Sequence, residues 1–191
     1  MKDLIMGIKT PVVANERVFV AVDVPETAVR IIRRSLGEYP QYIKQVTPDN
    51  KWHVTLAWLG EVENPKQYLS RLTRNMRQGF VPTIRVNHVG RGLQRSQLWA
   101  YVDPATVLTG IRDQIFDRLG TMRFPDLGKI RQRQYVPHIH VADLFGMAGG
   151  IGLADEPAMV NFAVKEAKIY RSCLTPGGSV YEVLGTILLS D

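Results

Sequence analysis

The alternation of apolar and polar residues along the chain predicts a series of short strands and three helices. Runs rich in β-branched residues, which favour strands, occur at 17–24, 52–59, 83–89, 97–102, 135–144, 162–170 and 179–189. Apolar residues recur at helical spacing after Pro25, across 65–77, and from Leu108 to Leu119. The last two strands are predicted to pair as a hairpin that turns at Pro176, Gly177 and Gly178. The polar stretch 122–134 and the glycine-rich stretch 146–152 are predicted to be loops.

The order of these elements predicts an α+β domain. Two strand–helix alternations are combined with additional hairpins, unlike the regular alternation of a doubly wound parallel sheet. A length of 191 residues fits one domain, and no low-complexity segment divides the chain. A histidine-containing strand sequence occurs at His53 and again at His138. This similarity indicates two related lobes within a single domain covering 1–191.

Composition narrows the class of protein. The chain is 45% hydrophobic and 22% charged, which is typical of a globular protein, and its one cysteine, Cys173, excludes an internal disulfide framework. No apolar run reaches the roughly 18–20 residues of a membrane-spanning helix, and charges interrupt the apolar residues at the start, unlike a secretory signal. We therefore expect a cytoplasmic protein with no membrane contact.

The net charge of +6 is concentrated in two stretches that contain no acidic residue, one between Glu63 and Asp103 and one between Asp126 and Asp143. Positive charge confined to such stretches favours an anionic partner. The arginines within 65–77 lie opposite the apolar positions of the predicted helix, so we expect them to form a solvated face. The candidate phosphate ligands in the first stretch are Arg85, Arg91 and Arg95.

The two histidine strands carry the candidate chemistry. Side chains alternate between faces along a strand, so His53 shares a face with Thr55, and His138 shares a face with His140. If the lobes are related by rough two-fold symmetry, both faces look into one cleft. One imidazole can then remove a proton from an attacking hydroxyl or water while the other protonates the leaving oxygen of a phosphoester. A threonine hydroxyl can donate to a nonbridging phosphate oxygen.

Two other interpretations of these residues compete with a paired site. Either histidine alone is better explained as a structural strand residue, but the repetition of the same context favours a paired site. The sequence His138-Ile139-His140 followed by Asp143 resembles a metal site, yet it lacks the complete His-x-His-x-Asp-His pattern, so we expect no metal or cofactor.

Aromatic and remaining polar residues add weaker candidates. Phe19 and Tyr135 are candidate contacts for a base or ribose. Trp58 has the parity of the apolar residues of its strand and is predicted to lie in the core. His88 is expected to be structural or solvent-facing, and Cys173 to be inert.

At these positions the sequence resembles the 2H phosphoesterase superfamily, and within it the bacterial and archaeal 2'-5' RNA ligase, or RNA 2',3'-cyclic phosphodiesterase, group. The first signature reads PDNKWHVTLAWLG at 48–60 and the second reads VPHIHV at 136–141. The opening strand at 17–22 and the closing segments at 170–174 and 178–182 are also similar to that group. The resemblance spans most of the chain from Arg17 onward.

The resemblance implies a bilobed α+β fold in which antiparallel sheets line a central cleft and helices lie outside. It also implies metal-independent opening of a 2',3'-cyclic phosphate on an RNA end to leave a 2'-phosphate, and it leaves open a 2'-5' RNA ligase activity. In such enzymes the first histidine protonates the leaving 3'-oxygen and the second activates water. This implies His53 as the acid and His138 as the base, although the sequence itself does not orient the pair.

Two positions depart from the pattern of the group. His140 stands where the pattern has Thr or Ser, and Asp143 stands where a basic residue is frequent. An imidazole can still donate to phosphate, but it is bulkier and titrates near neutrality, so the rate, pH profile or substrate can differ. The phosphate clamp is weakened by the carboxylate, and the basic residues that can compensate are Arg131, Arg133 and Arg171.

The sequence thus predicts a phosphoric diester hydrolase in which His53 and His138 form the acid–base pair and Thr55 and His140 bind phosphate. The predicted substrate-binding residues are Arg131, Arg133, Arg85, Phe19 and Tyr135. The expected partners are RNA ends or nucleotides carrying a cyclic phosphate, and the protein is expected to be a monomer. One alternative is a phosphodiesterase for 2'-5' oligoadenylate or cyclic signalling nucleotides. The other is a catalytically weak RNA- or nucleotide-binding module, which the histidine at position 140 motivates.

Overall fold

The computed structural model describes residues 16–38, 40–62, 64–74, 76, 80–93, 96–120, 127–145 and 156–189. In chain order the elements are β1 (Glu16–Asp23), α1 (Glu26–Ser35), β2 (Ile43–Val46), β3 (His53–Val62), α2 (Lys66–Leu72), β4 (Thr83–Arg91), β5 (Gln97–Asp103), α3 (Ala105–Leu119), α4 (Leu127–Gln132), β6 (His138–Leu144), β7 (Glu156–Ala163), β8 (Glu166–Thr175) and β9 (Gly178–Leu188). Short 3-10 turns lie at Leu36–Glu38 and Asp49–Lys51. The predicted loop at 146–152 and the candidate ligand Arg95 lie outside the described residues.

The strands form one antiparallel sheet in the order β7-β4-β5-β6-β3-β1-β8-β9, and β2 pairs with β6. Strands β3 and β6 join through a single residue pair, Val54 with Ile139, so the sheet divides there into two halves. In one half the histidine strand β3 is followed outward by β1, which precedes α1. In the other half the histidine strand β6 is followed outward by β5, which precedes α3. Helix α1 contacts β7 of the opposite half, and α3 contacts β3 of the opposite half. The topology confirms the predicted bilobed α+β fold.

The core lies between the sheet and the helices. Val18, Val20 and Val22 of β1 are each at most 3% exposed, as the strand pattern predicts. The apolar stripe predicted for α3 is also buried, since its members are at most 1% exposed. These members are Leu108, Ile111, Ile115 and Leu119. Burying each such side chain stabilises the fold by roughly 1.5–3 kcal/mol, which holds the sheet against its helices and fixes the two histidine strands.

The helix predicted at 65–77 spans only Lys66–Leu72, and β2 was not predicted. Two other differences are larger. The strand predicted at 162–170 is two strands, because β7 ends at Ala163 and β8 begins at Glu166. Val164 between them is only 1% exposed, so the apolar pattern runs through the break without marking it. The closing hairpin is therefore formed by β8 and β9 alone.

The second difference is α4, which forms within the stretch predicted as a loop. Few apolar positions there signal a helix. The helix is held from outside, because Arg112 of α3 donates through Nη2 to the carbonyl oxygens of Ile130 and Arg131, at 2.9 and 3.1 Å. Such tertiary hydrogen bonds satisfy helix-end carbonyls that the local sequence leaves unpaired.

Candidate active site

Strands β3 and β6 bring the four predicted catalytic side chains to the junction between the two halves of the sheet. Val54 and Ile139, which pair across that junction, are fully buried on one face. Their neighbours point to the opposite face, because strand side chains alternate, and all of them are half-buried. These neighbours are His53, Thr55, His138 and His140.

The antiparallel register places His53 opposite His140 and Thr55 opposite His138. The two strands pair only at this point and diverge on either side. The three imidazoles are close enough that His140 lowers the pKa of both other rings by charge repulsion. The structure therefore gathers the predicted groups into one cluster.

Both paired histidines are anchored in the same way. Nδ1 of His53 lies 2.7 Å from the carbonyl oxygen of Lys51, and Nδ1 of His138 lies 2.7 Å from that of Val136. A carbonyl oxygen only accepts hydrogen bonds, so each Nδ1 carries the hydrogen. Each Nε2 is consequently left to exchange a proton with a substrate.

The environments of the two rings differ in one respect. Burial lowers the pKa of His53 and of His138 below the ordinary value of 6.5. The carboxylate of Asp23, which pairs with His53 across β1 and β3, partly raises the pKa of His53 again. For His138 the neighbouring charges are His140 and His53, and both lower its pKa further. His53 is thus the ring whose surroundings favour a proton.

Asp23 is held in place by β8. Lys168 Nζ lies 2.6 Å from Oδ2 of Asp23, and the Tyr170 hydroxyl donates to Oδ1. No local pattern in the sequence indicates this cluster, because its members come from opposite ends of the chain.

The Phe19 ring packs against the His53 ring. Their ring centroids lie 5.1 Å apart, and Phe19 also stacks on Tyr170 at 5.2 Å and on Trp58 at 5.9 Å. Phe19 is only 2% exposed. Little of its ring is free, but Phe19 also lines a cavity beside His53, and its role as a base contact stays a prediction.

Trp99 supports His138 on the other half. Its ring stacks on the imidazole with centroids 3.5 Å apart and an interplanar angle of 13°. Gly92 allows this position, because a Cβ there would lie 2.5 Å from the indole. His88 stacks on Tyr101 at 4.7 Å, further out on the same half.

The prediction that Trp58 lies in the core is wrong, since Trp58 is 36% exposed. Leu56 and Ala57 are both buried, and the β1–β3 register shifts in this region, so the alternation changes phase. Trp58 therefore turns to the face of His53, where the guanidinium of Arg17 lies 5.2 Å above its ring.

The same change of phase occurs in β6. Val141 and Ala142 are both buried, which turns Asp143 to the face of His140. His140 Nε2 lies 3.1 Å from Oδ1 of Asp143 and 3.1 Å from the carbonyl oxygen of Ala142. The ring is thereby fixed with a hydrogen on Nε2.

Two cavities flank the cluster. One of about 180 Å³ lies against His53 and Thr55, and a second of about 230 Å³ lies against Thr55 and His138. The first offers polar groups that the sequence did not single out as ligands, although they fall within the segments quoted for the family resemblance. These groups are Arg17, Ser172, Ser179 and Tyr181.

Of the predicted basic ligands, Arg133 lines the second cavity. Arg131 lines neither and forms an ion pair with Asp117 of α3 at 2.7 Å. Arg85 lines a separate cavity of about 550 Å³ that no histidine borders. Arg171 pairs with two carboxylates, of Glu16 at 3.0 Å and of Glu182 at 2.6 Å.

Tyr135 joins the two halves. Its hydroxyl donates to the carbonyl oxygen of Thr55 at 3.0 Å, and burial raises its pKa. The ring lines the second cavity. Tyr135 therefore holds the segment leading into β6 against β3.

Within the described part of the chain, no group of three or more His, Cys, Asp or Glu side chains is arranged to hold a metal ion. No helix in this described part is long and apolar enough to cross a membrane.

Comparison with known proteins supplies relatives over most of the chain, although no family model matches it. The RNA 2',3'-cyclic phosphodiesterase of Methanocaldococcus jannaschii is 28% identical over 181 residues, covering 88% of this chain and 98% of the relative. That of Methanothermobacter thermautotrophicus is 27% identical over 180 residues, covering 86% and 94%.

Solved structures have the same fold. TT0787 of Thermus thermophilus superposes with a TM-score of 0.77 at 21% identity, covering 91% of this chain and 97% of that one. E. coli LigT complexed with 3'-AMP superposes with a TM-score of 0.71 at 22% identity, covering 93% and 99%.

A bilobed antiparallel sheet with a histidine pair at its junction defines the class of the protein. Together with the relatives, it confirms the resemblance to the 2H phosphoesterase superfamily that the sequence shows.

Proposed function

We propose that the protein is an RNA 2',3'-cyclic phosphodiesterase, which opens a cyclic phosphate on an RNA end to leave a 2'-phosphate without using a metal. The observation that carries the proposal is the matched anchoring of His53 and His138, which leaves one Nε2 from each half of the sheet available at a single junction. The names of the archaeal relatives support the same substrate class.

The proposed reaction is an in-line displacement at phosphorus. His138 Nε2 takes a proton from water as the water oxygen bonds to phosphorus. The bond between phosphorus and the 3'-oxygen breaks, and His53 gives its Nε2 proton to that oxygen. The phosphate stays on the 2'-oxygen, His138 ends protonated and His53 neutral, and proton exchange with solvent restores the starting state.

The electrostatics support His53 as the acid and His138 as the base. Asp23 favours the protonated form of His53, whereas His138 faces two other imidazoles, and no carboxylate of the described residues raises its pKa. A general acid must begin the reaction protonated and a general base must begin it neutral.

Thr55 and His140 are the proposed phosphate ligands. The Thr55 hydroxyl needs no ionisation to donate. His140 already uses its Nε2 hydrogen on Asp143 and Ala142, so it donates to phosphate from Nδ1 only when the ring is doubly protonated. Arg17 and Arg133 add positive charge at the two flanking cavities.

Both halves of the proposed site come from one chain, which supports a monomer, and we propose that it acts in the cytoplasm. The lone cysteine of the sequence is consistent with a reducing compartment.

The proposal is tested with a short RNA ending in a 2',3'-cyclic phosphate, incubated with the protein in EDTA. We expect turnover to a 2'-phosphate product. A 3'-phosphate product, or activity abolished by EDTA, would contradict the mechanism. Parallel assays with 2'-5' oligoadenylate and 3',5'-cyclic nucleotides test the alternative substrates, and tight RNA binding without turnover would favour a binding module.

A further inference from the structure

The cavity of about 180 Å³ beside His53 is lined by more hydrogen-bond donors than the proposed mechanism uses. Strands β1, β8 and β9 supply three of them in one row across the sheet, because Arg17 pairs with Ser172, and Ser172 pairs with Tyr181. Ser179 lies two residues before Tyr181 on β9 and lines the same cavity. Residues directly opposite each other on antiparallel strands share a face, so these donors lie together on the side of the sheet that carries His53.

The opposite face of the same three strands neutralises its own charge. Arg171 forms ion pairs there with the carboxylates of Glu16 and Glu182. On the cavity side, Arg17 takes part in none of the ion pairs of the described residues. Glu61 faces Arg17 across β1 and β3, but it is exposed and does not line the cavity. The positive charge of Arg17 is therefore available to a ligand.

The neighbours of Arg17 add donors of fixed position. Ser172 is only 8% exposed, and its hydroxyl has no hydrogen-bond partner among the described residues. Every fully buried side-chain nitrogen or oxygen of those residues has a partner, so this hydroxyl is accessible from the cavity. Burial raises the pKa of Tyr181 and the charge of Arg17 lowers it, because the guanidinium lies near the phenol. The same guanidinium is held 5.2 Å above the ring of Trp58.

This set of donors suits a phosphate group. A guanidinium binds phosphate oxygens through charge-assisted hydrogen bonds, and hydroxyl groups donate to the remaining oxygens. No acidic side chain of the described residues lines the cavity, so none there repels an anion. A volume of about 180 Å³ is below the roughly 300–1,000 Å³ of a pocket that encloses a whole small molecule, so the cavity fits a group of phosphate size better than a complete nucleotide.

The proposed mechanism also places this cavity on the ribose side of the reacting phosphorus. His53 protonates the leaving 3'-oxygen, so the ribose lies toward His53, whereas the attacking water lies toward His138. Only a few bonds separate the 3'-oxygen of a nucleotide from its own 5'-phosphate. The cavity that borders His53, and does not border His138, is therefore within reach of that phosphate.

We propose that this row of donors binds the phosphodiester on the 5' side of the nucleotide that carries the cyclic phosphate. The donors are Arg17, Ser172, Ser179 and Tyr181. The subsite thereby distinguishes the end of an RNA chain from a free nucleoside 2',3'-cyclic phosphate. The inference rests on the proposed function, because the cyclic phosphate at the histidine pair sets the position of the next phosphate.

The test uses two dinucleotides that end in a 2',3'-cyclic phosphate and differ only in the linkage between the nucleosides. One linkage is a natural phosphodiester and the other an uncharged methylphosphonate. We expect the phosphodiester substrate to have a KM on the order of 10-fold lower with a similar kcat, because a charge-assisted contact away from the reacting atoms acts equally in the ground and transition states. Arg17→Gln should remove most of this difference by raising the KM of the phosphodiester substrate, and Ser172→Ala should reduce it.

Arg34→Gln is the matched control, because it removes the same charge from an exposed position on α1 that lines neither cavity beside the histidines. It should leave both KM values unchanged, which separates a local contact from a loss of net charge. Circular dichroism establishes whether each variant is folded. If Arg17→Gln lowers kcat equally for both substrates and leaves their KM ratio intact, Arg17 acts on the reaction itself and the subsite is overturned.

Binding of the two dinucleotide 2'-phosphate products to the wild-type protein, measured by calorimetry, gives a readout that needs neither turnover nor a variant. Equal affinities for the two products and equal KM values for the two substrates would overturn the subsite while leaving the proposed function standing. Absence of hydrolysis with tighter binding of the phosphodiester product would do the reverse. A preference for the phosphodiester that persists undiminished in both Arg17→Gln and Ser172→Ala would overturn the assignment to this cavity.

Discussion

His140 donates from Nε2 to Asp143, 3.1 Å away, so the two positions at which the chain departs from the superfamily pattern are direct hydrogen-bond partners. Where the pattern combines a hydroxyl with a basic residue, this protein combines an imidazole with a carboxylate. The carboxylate fixes the imidazole ring, and an imidazolium can supply both the donor and the positive charge that the pattern otherwise provides. The two departures are therefore best understood as one coupled change.

Coupling between these residues is measurable. Asp143→Asn keeps an acceptor for Nε2 but removes the charge, and the difference between a charged and a neutral hydrogen bond is about 1 kcal/mol. We expect kcat/KM at neutral pH to fall about five-fold. In a His140→Thr background the same substitution should have no such effect, whereas equal losses in both backgrounds would contradict the coupling.

The assignment of acid and base predicts the effect of Asp23. Asp23→Asn removes the charge that raises the pKa of His53, so the alkaline limb of kcat/KM, where the acid loses its proton, should move to lower pH. The acidic limb, which reports His138, should stay in place. Glu166→Gln is the control, because Glu166 also lies near Lys168, at 3.7 Å, but is not among the charges that shift the pKa of either histidine. A shift of the acidic limb instead would reverse the assignment.

Burial of both rings predicts an acidic pH optimum. The active form has His138 neutral and His53 protonated, and burial lowers both pKa values below 6.5. In the free enzyme kcat/KM should therefore be maximal below about pH 6.5 and fall as the pH rises from there. Steady-state assays between about pH 4.5 and 8.5 would check this, and an optimum above neutrality would show that the rings are not desolvated as described.

The hydrogen bond of Tyr135 is expected to contribute to the free energy of unfolding. Tyr135→Phe removes the hydrogen bond to the carbonyl oxygen of Thr55 and should lower the free energy of unfolding by about 1 kcal/mol. Urea unfolding would measure the change. Tyr42→Phe is the control, because the Tyr42 hydroxyl has no hydrogen-bond partner among the described residues. An equal loss in both variants would show that the hydrogen bond of Tyr135 does not stabilise the contact between the halves.

Much of the site could be predicted from local patterns, because strand alternation alone places His53 with Thr55 and His138 with His140. Alternation failed at Trp58, where a change of phase after Leu56 turns the side chain into the cleft. Such a bulge depends on the pairing partner and leaves no mark in a single strand.

The surrounding charges were less predictable than the histidines. Arg131 is a candidate ligand by its position in an acid-free stretch, yet Asp117 reaches it from another element. Arg112, in contrast, lies within an amphipathic helix and is not a candidate by sequence, yet the tertiary structure places it beside the same cavity as His138. Contacts between distant parts of the chain decide which basic residues reach the site.

The most direct test of the paired-histidine mechanism is the rate of cyclic-phosphate opening by His53→Ala and His138→Ala, with His88→Ala as a control. His88 stacks on Tyr101 and has no assigned role in the reaction. We predict that each of the first two substitutions lowers kcat by a factor on the order of 10²–10⁴, while the control retains activity close to that of the wild type. Full activity in a folded His53→Ala or His138→Ala variant would contradict the account.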